Sequence, residues 1–154
     1  MTGEPFEDQA RALSVDPRQY SEVWRVRQYE LDSQGHVNNA VYLNYAEQVA
    51  IDHAEAAGFG REFNRQHGGG WVVHRHQITY HRPASYGDEV RVTTRVESLG
   101  GVRATRRTTI ERAADDLLLA EALTEWTWVR LSDGRPTRIP AELVALYTPA
   151  EPTI

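Results

Sequence analysis

The chain has 154 residues, 40% of them apolar and 25% charged, which is enough for one folded domain and unlike a disordered tract. Its formal net charge of −5 disfavours broad electrostatic capture of nucleic acid or of an anionic membrane. Cysteine and lysine are both absent, which excludes disulfides, thiolate or Schiff-base catalysis and cysteine-held metals, and leaves all 17 basic side chains as arginine.

Residues 1–20 mix Pro5 and Pro17 with charge of both signs and are expected to form a loose lead-in. Val23–Leu31 is rich in β-branched and aromatic residues and reads as a strand. Asp32-Ser33-Gln34-Gly35 is turn chemistry. Val41–Ala57 reads as a helix with a narrow polar stripe (Asn44, Glu47, Gln48, Asp52, Glu55), so most of its circumference should be buried. Asn38 or Asn39 can cap its start and Gly58 can end it.

Gly68-Gly69-Gly70 breaks the chain, and Trp71–Tyr80 follows as a strand stopped before Pro83. Val90, Val92, Thr94 and Val96 alternate with Arg91, Thr93 and Arg95, the pattern of a half-buried strand. Ser98-Leu99-Gly100-Gly101 is expected to turn the chain back. On the next strand Val102, Ala104, Thr108 and Ile110 share a face, and Arg106 interrupts it. Leu118, Ala120, Ala122, Trp126 and Trp128 share a face of a long last strand, and Pro140–Tyr147 can close the domain as a short helix. The expected domain is therefore residues 21–148, with 149–154 as a tail.

One strand, a long apolar helix, then four strands joined by short turns make an α+β domain with an antiparallel sheet. Such a sheet must cover one face, and the economical solution wraps it around the single long helix. No apolar run approaches the about 20 residues needed to span a bilayer. The acidic segment Met1–Asp8 lacks the apolar stretch of a signal peptide, so a cytoplasmic location is expected.

The densest polar cluster is Asp32-Ser33-Gln34-Gly35-His36-Val37-Asn38-Asn39, placed between the first strand and the buried helix. A helix start presents unpaired N–H groups and a partial positive charge, which can stabilise a developing oxyanion. A carboxylate beside it could activate water or attack a carbonyl directly. The same residues are also ordinary turn and cap chemistry, and spacing alone does not separate the two uses.

The stretch from Tyr29 to Glu47, with its His36-Val-Asn-Asn-Ala-Val-Tyr-Leu core and an Asp four residues before the His, resembles the signature of hot-dog-fold acyl thioesterases, the 4-hydroxybenzoyl-CoA thioesterase-like superfamily. Tyr80-His-Arg-Pro-Ala-Ser-Tyr-Gly-Asp-Glu-Val90 is a second similar stretch, and the resemblance spans roughly residues 21–130. It implies the hot-dog fold and hydrolysis of acyl-CoA or acyl-carrier-protein thioesters. It also implies no cofactor beyond coenzyme A as part of the substrate, and a homodimer or homotetramer with active sites at the subunit boundary.

By resemblance Asp32 is the catalytic carboxylate, His36 and Gln34 are supporting catalytic residues, and the Asn39 N–H polarises the thioester carbonyl. Glu47, on the polar stripe, is a further catalytic candidate. Tyr42, Tyr45 and Phe59 are candidates to shape an acyl pocket. Arg82, Arg103 and Arg107, with Arg106 nearby, could grip the phosphates of coenzyme A. His74 and His76 lie two apart, but no third zinc ligand can be placed, so no metal is expected. Gly68–Gly70 lacks the Lys-Ser/Thr of a phosphate loop. Two other readings fit the same fold: a non-hydrolytic acyl-thioester binding module and a hot-dog enoyl-CoA hydratase.

Overall fold

A computed structural model describes residues 15–147; the expected tail and most of the lead-in lie outside the described residues. Strand β1 (Gln19–Arg25) runs into a single 3-10 turn (Gln28–Glu30). Helices α1 (Asn39–Ala56) and α2 (Arg61–Gln66) follow. Strands β2 (Gly69–Tyr80), β3 (Glu89–Gly100), β4 (Arg103–Arg112) and β5 (Leu117–Arg130) come next, and α3 (Ala141–Tyr147) closes the chain. The five strands form one antiparallel sheet in the order β1-β3-β4-β5-β2.

The expected elements are present with shifted ends. β1 starts at Gln19 rather than Val23 and gives way to the 3-10 turn before Leu31. α1 starts at Asn39, two residues before Val41, because the Asn38 side chain accepts the Ala40 N–H and sets the first turn there. The β3–β4 turn lies at Gly101-Val102, not over 98–101. β3 bulges between Val96 and Ser98, and Gly101 takes φ +63°, a conformation suited to glycine.

The connection from β2 to β3 is not a hairpin. Residues 81–88 carry the chain past the start of α1, with the Val37 N–H donating to Ala84 O (2.9 Å) and Val26 N–H to Asp88 O (2.9 Å). β2 therefore ends at one edge of the sheet beside β5, while β3 lies next to β1.

The concave face of the sheet packs on α1. Tyr42, Tyr45 and Val49 meet Val90, Val92, Ile110, Leu119 and Ala120 in one apolar cluster. Burying each such side chain contributes about 1.5–3 kcal/mol. Leu119, not Leu118, enters this core: a bulge between β4 and β5 opposes Glu111 to Leu118 and Ile110 to Ala120, and turns the extra residue inward. A smaller cluster of Phe63, Trp128, Ile139 and Leu143 lies under α2 and α3.

A polar belt crosses the concave face. Thr94, Thr108 and Thr124 are buried on successive strands, and Arg106 stands beside them on β4. His53 of α1 is also buried: its Nδ1 accepts from Arg106 Nη1 (2.9 Å) and its Nε2–H donates to Asp16 O (2.7 Å). Tyr20 of β1 stacks on the ring, and Tyr147 of α3 donates its hydroxyl to Pro17 O nearby.

Burial holds the His53 pKa below its ordinary 6.5; the hydrogen bond to the Asp16 carbonyl, next in size, opposes it, and the neighbouring Arg106 cation adds to the lowering. The unfolded chain therefore takes up the proton first as pH falls. The stability from neutral His53 is full above about pH 6.5 and is lost below it. Urea unfolding between pH 7.5 and 5.5 should show the wild type weakening faster than His53→Gln, which keeps an acceptor but cannot titrate. Parallel slopes would refute this.

Among the described residues no helix is long and apolar enough to cross a membrane.

Candidate functional site

The turn before α1 is built around Asp32. Its Oδ1 accepts the backbone N–H groups of Gln34 (2.8 Å) and His36 (3.1 Å), and the Asp32 N–H donates to His36 O (2.7 Å). Gly35 completes the turn at φ +78°. The second carboxylate oxygen, Oδ2, has no partner among the described residues, and the side chain is exposed. This turn fixes the carboxylate in orientation while leaving one oxygen available.

The start of α1 lies alongside. The Asn38 side chain satisfies the Ala40 N–H and the Asn38 carbonyl satisfies Val41 N–H (2.9 Å). The Asn39 N–H has no acceptor among the described residues, and Tyr80 of β2 pins the Asn39 carbonyl through its hydroxyl (2.7 Å). His36 is half-buried and paired in a β-bridge with Ser85, so the loop 81–88 walls this end. The turn that holds a half-free carboxylate thus leads, within seven residues, into a helix start with an open N–H, and these are the kinds of group that activate water and hold an oxyanion.

The family model of the thioesterase-like superfamily matches residues 26–146. The chain belongs to that superfamily. This thioesterase is 29% identical over 119 residues to the long-chain acyl-CoA thioesterase FadM of Escherichia coli, covering 77% of this chain and 89% of FadM. It is also 29% identical over 123 residues to the acyl-acyl carrier protein thioesterase ATL2 of Arabidopsis thaliana, covering 80% of this chain and 65% of ATL2. A crystal structure of the hypothetical protein TT1821 from Thermus thermophilus superposes with a TM-score of 0.74 at 29% identity, covering 82% of this chain and 95% of that one. The α+β sheet around α1 is the hot-dog fold of these thioesterases.

The expected site residues of the thioesterase fall in three places. Asp32, Gln34, His36 and Asn39 stand together at the helix start. Glu47 lies two turns along α1, where its Oε1 meets His76 Nε2 (3.3 Å), and His76 Nδ1 in turn meets Thr124 Oγ1 (2.8 Å). The sequence reading left His76 unassigned. A bulge at His74 breaks the strand's alternation, so the spacing of the two histidines does not give a shared face. Among the described residues no three His, Asp or Glu side chains cluster as a metal site would require.

The aromatic candidates separate. Tyr42 and Tyr45 are sealed in the main core, with Tyr42 Oη accepting the Ala84 N–H (3.1 Å). Burial pushes both phenol pKa values up. Phe59 alone lines a cleft of about 700 Å³ at the far end of α1. Its walls are Ala50, Ala54, Trp71, Val96, Leu99 and Trp126, with Arg61 and Arg65 at α2. The size suits a ligand of ordinary dimensions and the lining is mainly apolar. Sequence order hides this cleft, because α1, α2 and four strands contribute to it.

The arginines also separate. Arg103 and Arg107 lie on the outer face of β4, tied to Glu125 (3.6 Å) and to Glu97 (2.5 Å) and Glu121 (2.9 Å). Arg82 is exposed on the 81–88 loop, at the Asp32 end. Arg106 points to the opposite face from Arg103 and Arg107, into the interior.

Proposed function

We propose that this thioesterase hydrolyses acyl-CoA or acyl-carrier-protein thioesters at a site shared by two copies of the chain. The carrying observation is the half-free Asp32 carboxylate beside the open Asn39 N–H. Asn39 N–H holds the thioester oxygen, and Asp32 takes a proton from water as the hydroxyl bonds to the carbonyl carbon. The C–S bond then breaks, and the thiolate leaves with the proton. An alternative first step has Asp32 attack the carbon itself, expelling the thiolate, and water then cleaves the resulting anhydride. No cofactor beyond the thiol carrier of the substrate is required by either route.

Two copies are needed because the parts are apart within one. The cleft begins at Ala50, about 16 Å of helix beyond Asn39. Tyr42, Tyr45 and Val49 fill the intervening space. β2 leaves one edge of the sheet open over 12 residues, with Val72 exposed on it and Ile51 exposed on α1. Antiparallel pairing of two β2 edges about a two-fold sets the Tyr80 end of one copy beside the Gly69 end of the other. The Asp32 turn then meets the partner's cleft, which takes the acyl chain.

Thiol release from acetyl-, octanoyl-, palmitoyl- and benzoyl-CoA tests this reading. A specificity constant that rises with apolar chain length is expected, since the cleft wall is largely hydrocarbon and each buried methylene gains about 0.8 kcal/mol. Tight binding of every member without thiol release, or hydration of an enoyl-CoA in its place, would overturn it.

A further inference from the structure

Arg61 and Arg65 stand exposed at the α2 side of the cleft, but one guanidinium that hydrolysis does not use lies deeper, on the sheet. Arg106 projects from the concave face of β4, between Ala104 and Thr108, and forms part of the cleft wall. Its Nη1 donates to His53 Nδ1 (2.9 Å) and to Thr94 Oγ1 (3.1 Å). Both partners are uncharged in these bonds. Among the described residues Arg106 has no carboxylate partner, and its Nε and Nη2 donors have no acceptor. Glu55, the one acid on the cleft wall, is engaged by the Arg61 N–H (2.7 Å).

Burial draws the Arg106 pKa down to about 10, so the guanidinium stays charged at neutral pH. A second donor adjoins it. Trp126, diagonal to Arg106 across the β4–β5 pair and also on the cleft wall, is nine-tenths buried, and its indole N–H has no acceptor. Buried donors such as the Trp126 N–H are nearly always paired, and the half-buried Arg106 turns two unpaired guanidinium donors toward the open cleft beside it. An anion arriving with the substrate resolves both deficits, and a guanidinium fork matches a carboxylate in shape and charge.

We infer that the cleft receives an acyl group ending in a carboxylate, the thioester of a dicarboxylic acid, with Arg106 as the group that selects it. The apolar walls Phe59, Trp71, Leu99 and Trp126 take the methylene spacer, and the guanidinium takes the distal carboxylate. This rests on the reading that the cleft holds the acyl chain.

The experiment compares matched pairs of CoA thioesters of equal chain length, one ending in a methyl and one in a carboxylate, on the wild type, Arg106→Met and Arg106→Lys. The wild type should favour the carboxylate member in kcat/KM by about tenfold or more. Arg106→Met should lose about 10–100-fold on that member while its turnover of the methyl member holds or rises, since a hydrogen bond to a charged group carries roughly that factor. Arg106→Lys should fall between, keeping charge without the fork. A wild type that favours methyl ends, or an Arg106→Met that slows both members equally, overturns the inference and leaves thioester hydrolysis standing.

Should neither member be hydrolysed, the proposed function fails instead. Thermal shift of the wild type with a free long-chain dicarboxylate against the matched diol then decides the inference, as it also does if Arg106→Met fails to fold. Stabilisation by the dicarboxylate alone supports the Arg106 role, and equal or absent shifts refute it.

Discussion

Asp32→Asn is expected to lower kcat for thioester hydrolysis by about 10²–10⁴-fold, the usual contribution of a positioned base, with little change in KM or melting temperature. The turn explains why this substitution is the informative one. Asp32 Oδ1 accepts two backbone N–H groups, and an Asn oxygen can accept the same two. What Asn lacks is the second oxygen, the one without a partner among the described residues. Asp32→Ala removes base and turn acceptor together, so its activity loss would include displacement of His36 and of the start of α1. Ala should therefore be both slower in kcat than Asn and less stable, the latter by about 0.5–2 kcal/mol, as for loss of other local side-chain caps. Steady-state thiol release with urea unfolding on the same preparations measures both. An Asp32→Asn enzyme as fast as the wild type would remove Asp32 from the chemistry and move attention to Glu47, which stands beside His76.

The fold was legible where a physical signal is local. Strict alternation from Val90 to Val96 appears as a strand with Val90, Val92, Thr94 and Val96 inward, because a pleated strand has period two. The long helix is present, but only Tyr42, Tyr45, Ala46, Val49, Ala50 and His53 are buried on it, one stripe rather than the expected most of its circumference, with Ile51 exposed. The misplacements sit at irregularities that no period announces. Bulges near His74, between Val96 and Ser98 and at Leu119 each slip the register by one and exchange inside for outside. Helix α2, with Arg61, Glu62 and Arg65 in six residues, offers too short a stripe to register as periodic. Strand order is a long-range property, so the placement of β2 at the sheet edge beside β5 had no local sign.

The grouping of Asp32, His36 and Asn39 at the helix start was legible, since all three lie within eight consecutive residues. The cleft was not, because its walls come from Ala50 to Leu131. Tyr42 and Tyr45 share the apolar side of α1 with true core residues, and helical periodicity cannot distinguish a core wall from a pocket wall. Arg106 did leave a trace, a charge on the buried face of an alternating strand. A polarity break of that kind marks a position where another requirement has overridden the strand's pattern.

Trp128→Ala is expected to carry the largest stability loss, about 3–5 kcal/mol, the range for deleting a buried aromatic ring. Trp128 is 1% exposed and centres the smaller core, with Trp71 edge-on at 5.2 Å and Phe63 at 6.4 Å. Gly69 lies so close beneath its ring that any Cβ there would overlap it, and a glycine has no side chain to fill the vacated volume. Unrelaxed cavities give the upper part of that range. Against a typical total of about 5–15 kcal/mol the change is large, and at about 2–4 °C per kcal/mol for a chain of this size the melting temperature should fall by roughly 6–20 °C. The same ring backs Trp71, which lines the cleft, so KM for long acyl chains should rise while kcat for short ones holds. Calorimetry and a chain-length series read the two effects separately. A loss below about 1 kcal/mol would mean that the cluster under α2 and α3 folds around the cavity. An unchanged KM would mean that Trp71 keeps its place without the ring behind it, and that the cleft is held by the main core under α1.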